Sequence, residues 1–247
     1  MFIVKQKIQY LWTHWHFYIP ATILFIVFRL PLFLLSDATI YYEDYSRGQI
    51  ALDILQHDFA SWSFLFADDY ALGSFFSGLW IAPFFMLFGK TFLAQKIAAL
   101  SFSTVAFILW IRLFSKTIDL NTGRVLGILL IFSPPILQRF QLINMGFHAE
   151  SFMFLPLTFM LALSVITPQS NKSKGVLVGI LFGLFSAYCL TNTIAVALSI
   201  CLITYDFIVC RRFNAMLSLF SGTVLGFSPW VYLKFNSLDA GKIFSVM

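Results

Sequence analysis

Long apolar runs recur along the chain and limit its fold more than any other feature. Hydrophobic residues make up 60% of the 247 residues and charged residues 11%, whereas soluble domains have about 45–50% and about 25%. A run of about 20 apolar residues is long enough to cross a bilayer as a helix. The sequence therefore predicts an all-α fold, a polytopic transmembrane helical bundle that forms a single domain over residues 1–247.

Seven of these runs are predicted to cross the membrane: Phe17–Leu35, Leu93–Ile111, Val125–Leu142, Phe152–Ile166, Val176–Leu190, Thr193–Val209 and Leu217–Leu233. Compact basic loops favour the cytoplasmic side. This rule places residues 1–16 in the cytoplasm, residues 36–92 in a first outer loop with juxtamembrane helices, and residues 93–233 in the transmembrane helices. The short run Phe75–Gly89 either spans or belongs to the outer loop. If it spanned, the basic loops would face outward.

Several functional classes find no support in the sequence. The net charge of +5 is spread over short loops, without the basic patch or stripe of a nucleic-acid-binding protein. The three cysteines have no CxxC spacing, so neither a zinc site nor a disulfide framework is implied. No P-loop, GxGxxG, HExxH or GxSxG motif occurs, so no nucleotide or dinucleotide cofactor is indicated. A need for a divalent cation stays open.

The predicted outer loop concentrates the acidic residues of the chain. Seven of the 11 carboxylates fall between Asp37 and Asp69. An unpaired carboxylate costs several kcal/mol in hydrocarbon, so we expect this cluster to lie outside the membrane. Asp68 and Asp69 either bind a sugar or a metal ion, or cap the helical piece that follows. This loop is where we expect the chemistry of the protein.

Glu43 and Asp44 are the first candidates for that chemistry. They precede a helix-compatible stretch, Tyr45–Gln56, in which Ile50 and Ile54 share a face. In the functional interpretation, one carboxylate is a general base that deprotonates an acceptor hydroxyl or amine, and the other positions the acceptor or a cation. In the structural interpretation, the pair provides an N-cap and an acidic residue that favours the helix dipole.

His148 and Glu150 are predicted at the outer face, where the chain re-enters the membrane. They either contribute to a cleft shared with the acidic loop or are an interfacial histidine and an acid at a helix N-terminus. Arg29 and Arg139 approach the same face. A guanidinium can bind a lipid-linked phosphate through two hydrogen bonds, but it can equally snorkel to ordinary headgroups. Lys90 and Lys96 are weaker candidates of the same kind.

An ordered set of short motifs resembles the GT-C class of integral-membrane glycosyltransferases. This class includes the protein O-mannosyltransferases, the lipid A aminoarabinose transferases and the bacterial lipopolysaccharide core transferases. The matching segments are Arg29-Leu30-Pro31, Glu43-Asp44 followed by Ala51-Leu52-Asp53-Ile54-Leu55, Tyr70-Ala71-Leu72-Gly73-Ser74, Pro83 to Gly89 with its Phe-Gly ending, Gly146-Phe147-His148-Ala149-Glu150, and Pro229-Trp230.

The resemblance implies an inverting glycosyltransferase of the bacterial inner membrane with a cytoplasmic N-terminus. Its partners would be a polyprenyl-phosphate sugar donor, membrane lipid and an acceptor at the outer face. Glu43 and Asp44 would be the catalytic carboxylates, and because the family order is usually Asp then Glu, the identity of the base is open. Substrate binding would fall to the other candidates: Arg29, Asp68, Asp69, Arg139, His148 and Glu150.

A second class of function is also open. Family members are commonly longer, so the alternatives are a piece of a longer enzyme, a minimal enzyme and an inactive relative. In the last case the protein would be a non-catalytic carrier or assembly partner for lipid-linked glycans.

Overall fold

The structure is a computed structural model that describes residues 16–35, 42–56, 74–143, 146–166, 172–188, 190–210 and 213–244. These residues are almost entirely α-helical and none of them is in a β-strand, which confirms the predicted all-α class. The helices are α1 (residues 16–27), α2 (Leu30–Leu34), α3 (Tyr42–Gln56), α4 (Ser74–Phe88), α5 (Phe92–Thr117), α6 (Leu120–Ile131), α7 (Pro135–Phe140), α8 (Gly146–Ile166), α9 (Lys172–Tyr188), α10 (Leu190–Val209) and α11 (Phe213–Phe244).

Three helical stretches of the described residues are long and apolar enough to cross a membrane. They are His16–Leu34, Phe92–Thr117 and Asn192–Val209. Phe76–Phe88, Leu120–Ile131 and Ser151–Ile166 are apolar but shorter. The three long stretches indicate a membrane protein, while the seven crossings and the cytoplasmic N-terminus stay predictions.

The predicted span Val125–Leu142 is wrong as a single helix. Helix α6 ends at Ile131, and α7 begins at Pro135. A proline holds the residue before it in an extended conformation, and the intervening Pro134 has φ −54° and ψ 148°. The 12 residues of α6 cover only about 18 Å. The two prolines therefore divide the predicted span into two short helices.

Helix α5 holds the N-terminal half of the protein together. Its C-terminal half packs against α1 and α6, where the rings of Phe25 and Phe107 stack with centroids 4.3 Å apart. Ile111 of α5 and Ile131 of α6 complete this buried cluster. The N-terminal half of α5 packs against α3 and α4 instead. One helix thus contacts both the first candidate span and the helix that carries the acidic pair.

The run Phe75–Gly89, whose crossing the sequence left open, corresponds to α4. This helix packs along the N-terminal half of α5, and its Trp80 indole donates a 3.0 Å hydrogen bond to Ser101 Oγ. On its other side, Gly78 lets Ile50 of α3 approach, since a Cβ at Gly78 would lie 2.3 Å from Ile50 Cγ2. Helix α4 therefore packs against both α3 and α5.

A proline inside α8 creates the main polar link between α8 and α5. Pro156 has no N–H group, so the carbonyl of Phe152 lacks its usual helical partner. The indole Nε1 of Trp110 in α5 donates a 2.9 Å hydrogen bond to that carbonyl. A buried carbonyl is costly to leave unsatisfied, so this contact stabilises the bend-prone part of α8 against α5.

Helices α9 and α11 run parallel and touch backbone to backbone. A Cβ on Gly179 would lie 2.2 Å from the carbonyl oxygen of Leu219, and a Cβ on Gly226 would lie 2.1 Å from that of Ile180. Glycines recur every fourth residue along both helices, the small-residue spacing that allows membrane helices to approach closely. This pair forms one side of the C-terminal half of the protein.

Candidate functional site

Glu43 and Asp44 lie in the first turn of α3, which begins at Tyr42. The expectation of a helix over this stretch is confirmed. Because the helix begins at Tyr42, both acids lie inside it and neither is its N-cap. The side chain of Asp44 is 0% exposed. The side chain of Glu43 lies outside the described set.

Asp44 is buried because α5 supplies its counter-ion. Lys96 Nζ donates a 2.7 Å hydrogen bond to Asp44 Oδ2, and Lys96 is only 1% exposed. An ion taken out of water costs several kcal/mol unless a partner compensates for it. Lys96 was a weak candidate for phosphate binding, and it instead neutralises Asp44.

A second contact fixes the backbone at the same point. The side-chain amide of Gln95 donates to the carbonyl oxygen of Asp44. Gly48, one turn later in α3, makes room for this amide, because a Cβ there would lie 2.9 Å from Gln95 Nε2. Arg47 is also buried in α3. Helix α5 therefore holds the first turn of α3 through both a side chain and the main chain.

Arg29 forms a second buried charged cluster. It is 0% exposed, and its Nε donates a 2.8 Å hydrogen bond to Gln141 Oε1. Nη1 donates to the carbonyl of Phe25 at 2.8 Å, and Nη2 donates to that of Leu130 at 2.9 Å. The expectation that Arg29 snorkels to headgroups is therefore wrong, because protein acceptors surround its guanidinium.

The charge of Arg29 is balanced by the ends of two helices. Phe25 belongs to the last turn of α1 and Leu130 to the last turn of α6, where carbonyls lack helical partners and the helix dipole is negative. The guanidinium carbon also lies 3.4 Å from the centroid of the Phe25 ring, which favours a cation further. These contacts support a structural role for Arg29, and its role in binding a donor phosphate stays a prediction.

The two charged clusters lie along the same helix. Ser103 of α5 donates a 2.6 Å hydrogen bond to the carbonyl of Gln141, the residue that binds Arg29. Lys96 precedes Ser103 by two turns of α5, which corresponds to about 10 Å along the helix axis. Helix α5 thus relates the acidic turn of α3 to the arginine cluster at a fixed spacing.

Arg139 differs from Arg29 in its surroundings. It is half-buried in the last turn of α7, and its Nε is buried without a hydrogen-bond acceptor among the described residues. A buried donor without an acceptor is costly, and Arg124 Nε is in the same state. The role of Arg139 in binding a donor phosphate stays a prediction.

The side chains of the other candidates fall outside the part of the chain that the structure describes. His148 lies in the first turn of α8 and Glu150 follows it directly after that turn, near the start of a helix as expected, but their side chains lie outside the described set. Asp68 and Asp69 lie outside the described residues altogether. Within the described ranges no group of three or more His, Cys, Asp or Glu side chains could hold a metal ion.

Sequence reasoning missed Gln95 and Gln141, which bind Asp44 and Arg29, because nothing local marks an uncharged residue in an apolar run as a partner.

Comparison with known proteins found no matching family model, no similar curated protein and no similar solved structure.

Proposed function

We propose that this protein is a membrane glycosyltransferase that moves a sugar from a polyprenyl-phosphate donor to a glycan, lipid or protein acceptor at the outer face of a bacterial inner membrane. The acidic turn of α3 provides the base that deprotonates the acceptor. Arg139 binds the donor phosphate. The residues at the start of α8, His148 and Glu150, and the acids Asp68 and Asp69 help to bind the acceptor or the sugar.

The observation that carries this proposal is the buried ion pair between Asp44 and Lys96. Burying two charges is a poor way to gain stability, because a well-packed apolar pair is often as stable or more stable. Charged groups inside a membrane protein commonly mark a functional site. The pair fixes the turn that carries Glu43 and Asp44 to α5, and in the sequence this turn follows the first candidate span.

A transfer assay on the full chain in membrane vesicles tests the proposal. The donors are polyprenyl-phosphate hexoses labelled in the sugar, and Glu43→Gln is compared with wild type. Removing a general base reduces the rate by about 10²–10⁴-fold. Asp53→Asn is a matched control, because Asp53 is another acid of α3 and accepts a 2.7 Å hydrogen bond from Gln49 on the exposed side. It should retain transfer.

One observation favours the second candidate, a non-catalytic carrier or assembly partner for lipid-linked glycans. The carboxylate of Asp44 is sealed from solvent, as a purely structural ion pair would be. The carrier hypothesis predicts that folded, inserted wild-type protein binds the labelled donor without turnover. Turnover that Glu43→Gln abolishes would exclude it.

A further inference from the structure

The carboxylate of Asp44 is held inside the fold. Asp44 is 0% exposed, and its Oδ2 accepts a 2.7 Å hydrogen bond from Lys96. Its main-chain carbonyl is bound by Gln95. Both of these contacts fix Asp44 to α5.

A general base must come within about 2.6–3.2 Å of the proton that it removes, directly or through one water. The carboxylate of Asp44 has no exposed surface from which it could do so. Moving it toward a substrate would break its ion pair with the buried ammonium of Lys96, and separating a buried pair costs several kcal/mol. The packing therefore argues against Asp44 as the group that meets the acceptor.

We infer that Glu43 is the catalytic base, and that Asp44, Lys96 and Gln95 are positioning residues that set the place of Glu43 by fixing the first turn of α3 to α5. This inference rests on the proposed function and deepens it. Glu43 precedes Asp44 directly in the helix, so a displacement of that turn displaces the base. A misplacement of about 1 Å can reduce a rate by about 100-fold.

The test separates positioning from chemistry with four variants of the full chain in vesicles: Glu43→Gln, Lys96→Met, Lys96→Arg and the neutral pair Asp44→Asn/Lys96→Met. Thermal stability is measured alongside kcat per mole of folded protein and KM for a polyprenyl-phosphate hexose. A merely structural pair would change the folded fraction only. A positioning pair lowers kcat of the folded enzyme while KM for the donor stays the same.

We expect Glu43→Gln to lose about 10²–10⁴-fold in kcat per mole of folded protein. Lys96→Met should lower both stability and kcat, because it leaves Asp44 charged and buried. Lys96→Arg keeps the positive charge and should restore part of both. The neutral pair should recover stability and lose far less kcat than Glu43→Gln, because the variant carries neither charge of the Asp44–Lys96 pair and Glu43 is intact.

Two results would overturn the assignment, and they differ from a failure of the proposed function. In the first, the neutral pair Asp44→Asn/Lys96→Met is stable but its kcat falls by about the 10²–10⁴-fold of a lost general base, while Glu43→Gln stays active. This result would make Asp44 the base. Lys96→Met with unchanged stability would show that the ion pair does not fix α3. A folded wild-type protein without turnover would refute the proposed function and the base assignment. The stability measurements would still show whether the Asp44–Lys96 pair fixes α3 to α5.

Discussion

The contact between α9 and α11 predicts that adding a single methyl group at Gly179 will separate two helices. A Cβ there would lie 2.2 Å from the carbonyl oxygen of Leu219 and 2.8 Å from the amide nitrogen of Thr223. Both atoms belong to the backbone of α11, so no side chain can rotate away. Gly179→Ala therefore requires a shift of the whole helix.

The magnitude follows from two opposing terms. Overpacking a tight contact costs about 1–3 kcal/mol, and the upper end applies because backbone atoms must move. Alanine is about 1 kcal/mol better than glycine in a helix interior, which offsets part of that cost. We expect a net loss of about 2 kcal/mol, equivalent to about 4–8 °C in Tm for a chain of this size.

Gly175→Ala is the matched control, since Gly175 lies on the same face of α9 one turn earlier. A Cβ there would meet its nearest atoms, the carbonyl oxygen of Ala215 and Ser218 Cβ, at 3.3 Å, which small adjustments can accommodate. Because alanine has a higher helix propensity than glycine, Gly175→Ala should leave the stability of the protein unchanged or raise it slightly. Thermal unfolding of both variants in detergent micelles, followed by circular dichroism, makes the comparison. Equal Tm values for the two variants would refute the close backbone contact.

Three further predictions concern polar contacts. Arg29→Lys should lose about 1.5–3 kcal/mol for each charged hydrogen bond that a single ammonium cannot replace, measured as a lower Tm; an unchanged Tm would argue against the described contacts. Trp110→Phe should destabilise wild type by about 1–3 kcal/mol but the Pro156→Ala variant by less, because alanine restores the missing helical N–H; equal losses in both backgrounds would contradict this. Asp119 caps α6, and a hydrogen bond from the side chain of Thr122 lowers the pKa of its carboxyl below 3.8. The stability that this carboxylate contributes is therefore complete above the ordinary pKa and is lost as the pH falls through the lowered pKa. Asp119→Asn still caps α6, so thermal unfolding of this variant, followed by circular dichroism, should no longer show that loss of stability at low pH.

Local patterns in the sequence were enough for several parts of the fold. The all-α class follows from the apolar runs, and the helix after Glu43 follows from its residue spacing. The break between α6 and α7 was readable from Pro134-Pro135, although the span was predicted as continuous. The glycine spacing in α9 is also a local signal for close helix packing, although no prediction was drawn from it. Each of these features depends on residues within one or two turns of each other.

The candidate site could be predicted only in part. The sequence marks Glu43 and Asp44 as an acidic pair at the start of a helix, and the structure confirms that position. Asp44 and Lys96 are 52 positions apart, and Arg29 and Gln141 are 112 apart. No local pattern relates such residues, so neither partner could be assigned from the sequence.

The sequence by itself determined that this chain is helical, apolar enough to place helices in a membrane, and acidic around the start of α3. Hydropathy and helix propensity are properties of neighbouring residues, so they can be read without a fold. Only the tertiary structure decided which charges are sealed and which remain available to a ligand. That outcome depends on which helix faces meet along α5, because a buried charge persists only where packing supplies its partner.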